Sequence, residues 1–479
     1  MLSARVRLGL PLRRLRSQPQ ARAAAASAST EAAAPAAAAA RKTGTATPER
    51  GGGAAGGALD VQPPKGTRDF PPDEMRQRQW LFAHFRETAL AFGFEEWDAP
   101  VLESEQLYTR KAGEEITQQL YNFEDKGGRK VSLRPELTPS LARLILQKGK
   151  ALQLPAKWFA IGQCWRYERM TRGRRREHYQ WNMDIVGVSG VEAEVELLGS
   201  VVAFFERVGL TAEDVGIKVS SRKVLQAVVA KYGVAPDAFA PVCVIVDKMD
   251  KLPREKVEEE LAAIGVAAET VEGILSALEV GSLEALRELL GDEAEALADL
   301  ERLFMLAEAY GFADWLVFDA SVVRGLAYYT GTVFEGFDRA GNLRAICGGG
   351  RYDKLLETFG GAPQPMCGFG FGDAVIVELL KEKNLLPESI SRVDDLVVSL
   401  DSALRPQAMG VAANLRAQGR KVDFVLEDKK MKWVFNRAEK VGAARVVMVG
   451  KREWDDGEQV RVKVLATREE YNVPATEVA

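Results

Sequence analysis

Hydrophobic residues along the chain recur with two different periods, which predict a mixture of helices and strands. In 72–93 and in 192–205 the apolar positions follow a helical spacing, so each segment should turn one face into a core. Strand-like alternation marks 157–168 and 178–188, where polar and apolar side chains lie on opposite faces. One loop joins these two strands, so their polar faces belong to one hairpin.

Shorter elements are predicted between these segments. Residues 95–102 form an extended stretch that contains Pro100, which indicates an edge strand or an interface segment. Two strand-like runs within 121–133 flank a Lys-Gly-Gly-Arg turn and predict a hairpin. Thr138 and Pro139 then begin a helix, with threonine as its cap and proline in its first turn.

The middle of the chain predicts a helical insertion followed by more strands. Residues 217–310 are rich in glutamate, leucine and alanine and have a helical period. Strands at 332–337 and 343–347 are expected to pair, and the three glycines that follow should lead into a helix. In 368–373 glycines at alternate positions leave one strand face open, either for packing or for a flat ligand, and the final aspartate can cap the next helix.

The last hundred residues alternate strand-like and helical stretches. Strands are predicted at 395–400, 421–426 and 445–449, with helices at 406–418 and 432–441. This alternation is typical of an α/β domain with parallel strands.

Composition sets the scale and removes some classes of site. The 479 residues, 47% hydrophobic and 28% charged, are enough for roughly two to four domains. Four cysteines without C-x-x-C spacing and two histidines argue against a structural zinc site, a disulfide framework and imidazole-based catalysis. No apolar run is long enough to cross a membrane, so we expect no membrane partner.

Residues 1–60 differ from the rest of the chain. The first 22 residues hold six arginines and no acidic residue, and an alanine-rich tract and a glycine cluster follow. This composition predicts a transit peptide for the chloroplast, the mitochondrion or both. A low-complexity tail without an address is the alternative.

Arginine is concentrated between the two alternating strands. Six of the eleven residues in 166–176 are arginine, although the net charge of the whole chain is only -4. Guanidinium groups pair with phosphate oxygens at two points, so this loop predicts a phosphate-binding site. A solvated hairpin with a basic tip is the alternative.

Five of these segments occur together, and in the same order, in one family. Residues 65–69, 133–138, 179–184, 324–329 and 348–353 resemble the corresponding segments of histidyl-tRNA synthetases. The Arg-Gly-Leu-x-Tyr-Tyr run that starts at Arg324 is the most specific of them. The resemblance extends from about Val61 to the C-terminus, and the N-terminal composition indicates an organellar form.

The resemblance implies the architecture of a class IIa aminoacyl-tRNA synthetase. The expected fold is α+β, with a six-stranded antiparallel catalytic sheet flanked by helices, a helical insertion, a C-terminal α/β anticodon-binding domain and a homodimer. Pro100 would belong to the dimer-forming segment. The implied divisions are a transit peptide at 1–60, a catalytic domain at 61–216 and 311–390, an insertion at 217–310 and an anticodon-binding domain at 394–479.

The resemblance also implies a reaction and the residues that carry it. ATP would activate L-histidine to histidyl-adenylate with release of pyrophosphate, Mg2+ would bridge the phosphates, and histidine would pass to the 3' end of tRNA(His). The implied histidine-binding residues are Glu136, Thr138, Gln180, Asp184, Tyr328 and Tyr329. The implied ATP-binding residues are Arg166, Glu168, Arg174, Arg324 and Arg351, with Arg166 and Arg324 as the catalytic pair at the α-phosphate. The acceptor end of the tRNA would meet Arg169, Arg172 and Arg175, and no residue is assigned as a metal ligand.

This sequence departs from the family pattern at two positions. Asp184 is one methylene shorter than the glutamate of many bacterial relatives, which predicts a shifted strand or a water at the imidazole. The arginine that class II enzymes carry early in the helix after the glycine strand is missing from 372–375. Arg351 is the conceivable substitute.

Two other kinds of protein share parts of this pattern. The regulatory subunit of ATP phosphoribosyltransferase keeps the catalytic fold without aminoacylation, but it lacks the last domain, and the presence here of that domain and of Arg324 argues against it. A tRNA-binding or stress-sensing module would not require a histidine pocket together with two α-phosphate arginines.

Overall fold

The computed structural model describes most of the chain from residue 60 onward. The described residues are 60–110, 117–249, 252–323, 328–388 and 392–478, without the side chains at 292 and 293. The transit peptide predicted at 1–60 lies, except for its last residue, outside the described residues, and so does Arg324.

The strands of the described residues form three sheets. The strands are β1 Glu95–Glu96, β2 Leu102–Ser104, β3 Tyr121–Glu124, β4 Lys130–Leu133, β5 Ala156–Trp165, β6 Glu177–Val186, β7 Val215–Ser221, β8 Leu316–Phe318, β9 Thr332–Asp338, β10 Cys347–Arg351, β11 Met366–Gly372, β12 Asp395–Ser399, β13 Val422–Phe424, β14 Arg445–Val449, β15 Gln459–Val464 and β16 Glu470–Pro474. Within the described ranges, the largest sheet has eight strands in the order β1-β5-β6-β11-β10-β9-β7-β8. Its six inner strands are antiparallel, and the short edge strands β1 and β8 pair in parallel. This confirms the predicted antiparallel catalytic sheet.

Helices surround this sheet and fill the inserted segment. They are α1 Pro72–Ala91, α2 Gln106–Thr109, α3 Thr138–Lys148, α4 Glu192–Arg207, α5 Arg222–Lys231, α6 Phe239–Val246, α7 Arg254–Ala263, α8 Ala268–Leu278, α9 Leu283–Leu290, α10 Ala298–Tyr310, α11 Leu355–Thr358, α12 Asp373–Glu382, α13 Arg405–Ala417, α14 Met431–Lys440 and α15 Lys451–Asp455. Among the residues that the structure describes, no helix combines the length and the apolar character needed to cross a membrane.

The apolar face of the large sheet is covered by α1 and α4. Trp181 of β6 stacks on Phe85 of α1 with ring centroids 4.7 Å apart, and Phe204 of α4 packs 4.8 Å from Phe85. All three side chains are fully buried. Aromatic pairs at these separations stabilise a core beyond the area that they bury. The alternation in β6 therefore leaves the opposite, polar face of the sheet available for a site, which disfavours the alternative of a solvated surface hairpin.

Two predicted elements are wrong at their boundaries. The second strand of the predicted 343–347 pair begins only at Cys347, and the three glycines lie inside β10 rather than before a helix. A Cβ at Gly349 would overlap the carbonyl oxygen of Gly368 in the neighbouring strand, so close strand packing explains the glycine. Residues 217–221 belong to β7, so the helical segment begins at Arg222 and not at Ile217.

Both predicted caps are also wrong. Helix α3 begins at Thr138 itself, and the residue before it, Leu137, makes no side-chain capping bond. Asp373 is the first residue of α12, and its carboxylate accepts hydrogen bonds from the backbone N–H of Tyr179 and from Arg68, both at 2.9 Å. It therefore connects strand β6 to the segment before α1 instead of capping its own helix.

The C-terminal residues form the predicted α/β domain with an antiparallel addition. In the described residues its sheet has the order β13-β12-β14-β15-β16, in which the first three strands are parallel. Strands β15 and β16 pair antiparallel at the edge and were not predicted. The two apolar clusters of this domain draw only on residues from 393 onward, whereas the clusters of the large sheet end at Leu386.

Candidate active site

Glycines form an open floor on the polar face of the large sheet. Asn182, Gly370, Gly348 and Glu335 lie in one row across four neighbouring strands, so glycine occupies the middle of the row. A Cβ at Gly370 would meet nothing closer than 3.8 Å, and one at Gly372 would meet nothing within 4 Å. A flat ligand can therefore lie over these strands, bounded by Asn182 on one side and Glu335 on the other.

Asp184 lies at the closed end of this floor. Its side chain is 1% exposed, and its Oδ1 accepts a hydrogen bond from the Tyr352 hydroxyl. The pKa of Asp184 is raised to about 7, mainly by burial and in smaller part by the charge of Glu136, while the Tyr352 hydrogen bond opposes the rise. The second oxygen, Oδ2, is buried without a hydrogen-bond partner among the described residues. A buried carboxylate oxygen of this kind is an acceptor available for a ligand N–H.

Three tyrosines form a wall between Asp184 and Glu136. The ring centroids of Tyr328 and Tyr329 are 4.9 Å apart, and those of Tyr328 and Tyr352 are 5.7 Å apart. The Tyr328 hydroxyl donates to Glu136 Oε2 at 3.3 Å. The structure thus brings four of the predicted histidine-binding residues, Glu136, Asp184, Tyr328 and Tyr329, into one pocket.

The other two predicted histidine-binding residues lie at its margin. Gln180 is two residues before Asn182 on the same strand face, and its Oε1 is 3.7 Å from the Cys164 thiol and 3.8 Å from the point that a Cβ on Gly370 would occupy. Thr138 is buried in the first turn of α3. Within the described residues no hydrogen bond links Thr138 to the rest of the pocket.

A cluster of arginines lies beside the pocket, next to Glu136. Arg166 Nε donates to the carbonyl oxygen of Pro135 at 2.9 Å, which places Arg166 next to Glu136. Glu168 pairs with Arg174 at 2.7 Å and lies 4.0 Å from Arg166. The three described residues predicted to bind ATP at the β5–β6 loop therefore form one cluster.

His178 lies near these arginines, but its side chain is uncharged. Its pKa is lowered to about 3, mainly by burial and in smaller part by the charges of Arg166, Arg68 and Arg344. The imidazole is therefore neutral near pH 7, so the positive charge of this region comes from guanidinium groups.

The three arginines predicted to meet the tRNA differ in their surroundings. Arg169 and Arg175 are exposed and have no hydrogen bond or ion pair within the part of the chain that the structure describes. Arg172 forms an ion pair with Glu382 and lies 3.6 Å from Glu378, both in α12. Arg172 thus attaches the loop to α12, and the other two remain available to a polyanion.

Arg351 is engaged in the core, and its assignment to ATP has to be corrected. Its five N–H donors are all used. Two go to Glu194 at 2.5 and 2.6 Å, and the others go to the carbonyl oxygens of Val188 and Gly190 and to Asp353, at 2.9 to 3.2 Å. Removing one partner of a buried pair of this kind typically costs about 3–5 kcal/mol. Arg351 holds the start of α4 against β10 and has no donor left for a phosphate.

The structure adds residues to the site that the pattern of the sequence did not single out. Tyr352 binds Asp184, and Arg68 connects to Asp373 at 2.9 Å and to Glu177 at 3.6 Å. Both belong to segments that carry the family resemblance, 65–69 and 348–353, so the signal was present there. Their roles depend on contacts between distant segments, which spacing along the chain does not show.

An antiparallel sheet with helices on one face, buried carboxylate and tyrosine side chains on the other and arginines at a strand turn is typical of the catalytic fold of a class II aminoacyl-tRNA synthetase. The family model described as histidyl-tRNA synthetase matches residues 66–373, and that described as anticodon binding domain matches residues 394–479. The chain belongs to the histidyl-tRNA synthetase family. This confirms the resemblance and the predicted class of enzyme, an ATP-dependent aminoacyl-tRNA synthetase.

Individual relatives agree with this membership. The chloroplastic/mitochondrial histidine–tRNA ligase of Arabidopsis thaliana is 61% identical over 420 residues, which cover 88% of this chain and 86% of the relative. The histidine–tRNA ligase of Opitutus terrae is 38% identical, over 86% of this chain and 96% of its own. The crystal structure of histidyl-tRNA synthetase from Nostoc has the same fold, with a TM-score of 0.73 and 24% identity over 87% of this chain and 98% of that one.

Proposed function

We propose that this chain activates L-histidine with ATP and attaches it to tRNA(His) in the translation system of a chloroplast, a mitochondrion or both. The observation that carries the proposal is the buried, unpaired Oδ2 of Asp184 beside the wall of tyrosines, because a histidine side chain is a flat ring with an N–H to donate. The organellar relative from Arabidopsis supports the setting, since its name places that protein in chloroplasts and mitochondria.

In the proposed pocket the imidazole would lie against Tyr328 and Tyr329, with one nitrogen donating to Asp184. Glu136 accepts a hydrogen bond from Tyr328 and would hold the histidine α-amine, with Thr138 and Gln180 at the pocket margin. The carboxylate of histidine then points along the floor toward Arg166, whose backbone anchor at Pro135 is adjacent to Glu136.

The arginine cluster would bind ATP. Activation displaces pyrophosphate in line at the α-phosphorus, and fixed positive charge near the developing negative charge is its main requirement. Arg166 would act on one side of that phosphorus, and Arg324, in the signature segment outside the described residues, on the other. Arg174 and Glu168, held together at 2.7 Å, would position the nucleotide beside them.

Magnesium would join the phosphates of ATP to carboxylates at the edge of the floor. Glu335 ends the glycine row and Glu168 lies within the arginine cluster, and the charges of both act on the same neighbour, Arg344. Magnesium is commonly held by one or two carboxylates together with substrate phosphates, so these residues fit it. Bound there, the ion would neutralise part of the phosphate charge.

The tRNA would contact two separated regions. Arg169 and Arg175 would meet the acceptor end, while Arg172 keeps the loop in place through α12. The proposed division of the chain assigns 61–216 and 311–390 to catalysis and 394–479 to the anticodon. The matched anticodon-binding model over nearly the same last residues supports this.

A homodimer is proposed through the segment around Pro100. Pro100 is exposed, and beside it the small sheet β2-β4-β3 presents Leu102 and Phe123, which are 44% and 50% exposed. Exposed apolar side chains on the same small sheet are typical of an interface.

The histidine pocket is tested by Asp184→Asn. Asparagine keeps the shape but removes the charge, so kcat/KM for histidine in pyrophosphate exchange should fall about 10- to 100-fold at pH 8, the scale of one hydrogen bond to a charged group. In the parent, Asp184 gains its charge as pH rises through about 7, so the same constant should rise over that interval. The variant should show only the smaller change due to histidine itself. A variant within threefold of the parent, or with the same pH profile, would remove Asp184 from the pocket.

The organellar setting is tested with a reporter fused after residue 60. The arginine-rich, acid-poor segment should direct the reporter into plastids or mitochondria, as seen by fluorescence microscopy. A matched fusion in which the six arginines are replaced by glutamine should stay in the cytosol. Cytosolic fluorescence of the unaltered fusion would contradict the proposed address.

A further inference from the structure

Arg344 is an unpaired cation beside the proposed ATP site. It lies in the connection between β9 and β10, close to the start of β10. Its side chain is exposed and, in the described ranges, forms no hydrogen bond and no ion pair. This distinguishes it from Arg351, whose donors are all used within the core. An arginine with free donors next to a nucleotide site is a candidate for a phosphate contact.

The arginine-rich loop between β5 and β6, within residues 166–176, lies against Arg344. A Cβ at Gly173 would lie 3.1 Å from Val375 Cγ2 and 3.8 Å from Arg344 Cδ, so both side chains border the same point of the loop. Val375 belongs to 372–375, the stretch of β11 and α12 in which this sequence lacks the arginine of other class II enzymes. Arg344 therefore extends from a different segment of the chain into the neighbourhood that the missing arginine would occupy.

The charges of two other arginines act on Arg344. Its pKa is lowered by burial of the guanidinium among protein atoms and by the charges of Arg174 and Arg166, while Glu168 and Glu335 oppose this. Several guanidinium groups whose charges act on one another attract a polyanion, and the phosphates of ATP are the polyanion of the proposed reaction.

We propose that Arg344 binds the β- and γ-phosphates of ATP and replaces the arginine missing from 372–375. The assignment to the outer phosphates follows from the order of groups along the cluster. Arg166 is anchored beside Glu136, where the histidine carboxylate must meet the α-phosphate. Arg344 borders the loop at Gly173, which is adjacent to Arg174 and seven residues from Arg166, so Arg344 lies toward the tip of the loop. This inference rests on the proposed activation of histidine by ATP.

The test compares Arg344→Ala and Arg344→Gln with Arg339→Ala. Arg339 is the matched control because it lies in the same connection, but its guanidinium donates to the carbonyl oxygens of Ala212 and Asp314, away from the cluster. Histidine-dependent pyrophosphate exchange gives KM for ATP and for histidine, and inhibition by AMP gives the affinity for a nucleotide without outer phosphates. Thermal unfolding shows which variants retain the fold.

Both Arg344 variants should raise KM for ATP about 10- to 100-fold, the scale of losing one charge-assisted contact. KM for histidine and the inhibition constant of AMP should stay within about twofold of the parent. Unchanged KM for ATP in a folded variant would overturn the proposal, as would an equal loss of AMP affinity or an equal effect of Arg339→Ala. A parent chain without histidine-dependent exchange would instead contradict the proposed function itself, so the two failures are distinguishable.

Discussion

A chain that ends at Arg392 should charge tRNA(His) about 100- to 10,000-fold more slowly than the full chain, yet keep histidine-dependent pyrophosphate exchange. The histidine pocket, the glycine floor and the arginine cluster all lie before residue 373, and the apolar clusters of the C-terminal domain share no residue with those of the large sheet. Removing the domain deletes one of two linked tRNA contacts and with it the gain in effective concentration that linkage provides.

The residual charging of tRNA(His) by the truncated chain should depend strongly on salt concentration. Arg169 and Arg175 stay in the truncated chain, and contacts of arginine with phosphate weaken as salt concentration rises. The control is the pyrophosphate exchange rate of the same preparation, which should remain within about twofold of the full chain, because exchange needs no tRNA. Charging at the full rate by a soluble truncated chain would show that residues 394–479 do not read the anticodon.

Arg324→Ala should slow formation of histidyl-adenylate by about two to three powers of ten, the scale of losing one preorganised charge at a developing anion. The expectation comes from the signature segment that begins at Arg324 and from the surroundings of the pocket, in which His178 is neutral and Asp184 is proposed to bind the substrate ring. The α-carboxylate of histidine is already ionised near pH 7, so the step needs no general base and depends mainly on fixed positive charge.

Single-turnover measurement of adenylate formation separates this effect from substrate binding. Arg287→Ala is the matched control, since it removes an arginine from the inserted helices, where Arg287 pairs with Glu301. The control should react like the parent. An Arg324→Ala rate within about threefold of the parent would remove Arg324 from the catalytic pair.

Periodic features of the sequence predicted the fold well where one physical cause dominates. The alternation in 157–168 and 178–188 follows from one buried and one open face, and both strands form with that orientation. The glycine run at 348–350 misled because the same residues suit a turn and a close strand contact. The turn and the strand contact are distinguished only by the neighbouring strands β9 and β11, which pair with β10.

The sequence predicted those residues of the candidate site that lie in recognisable motifs. It missed the roles that depend on contacts between segments far apart in the chain. Glu136, Asp184, Tyr328 and Tyr329 meet in one pocket as the family resemblance implied. Arg351 follows a run of three glycines but pairs with Glu194, which lies 157 positions away along the chain. No local pattern distinguishes an arginine that binds a buried glutamate from one that binds a phosphate.

The central claim is that the pocket around Asp184 selects histidine for activation, and pyrophosphate exchange measured with each of the twenty amino acids tests it most directly. The full chain, with ATP and Mg2+, should exchange pyrophosphate into ATP with histidine at a rate at least about 100-fold above that with any other amino acid, because a site built to hydrogen-bond a ring N–H rejects side chains that lack it. Exchange that depends equally on another amino acid, or no exchange with histidine, would contradict the account.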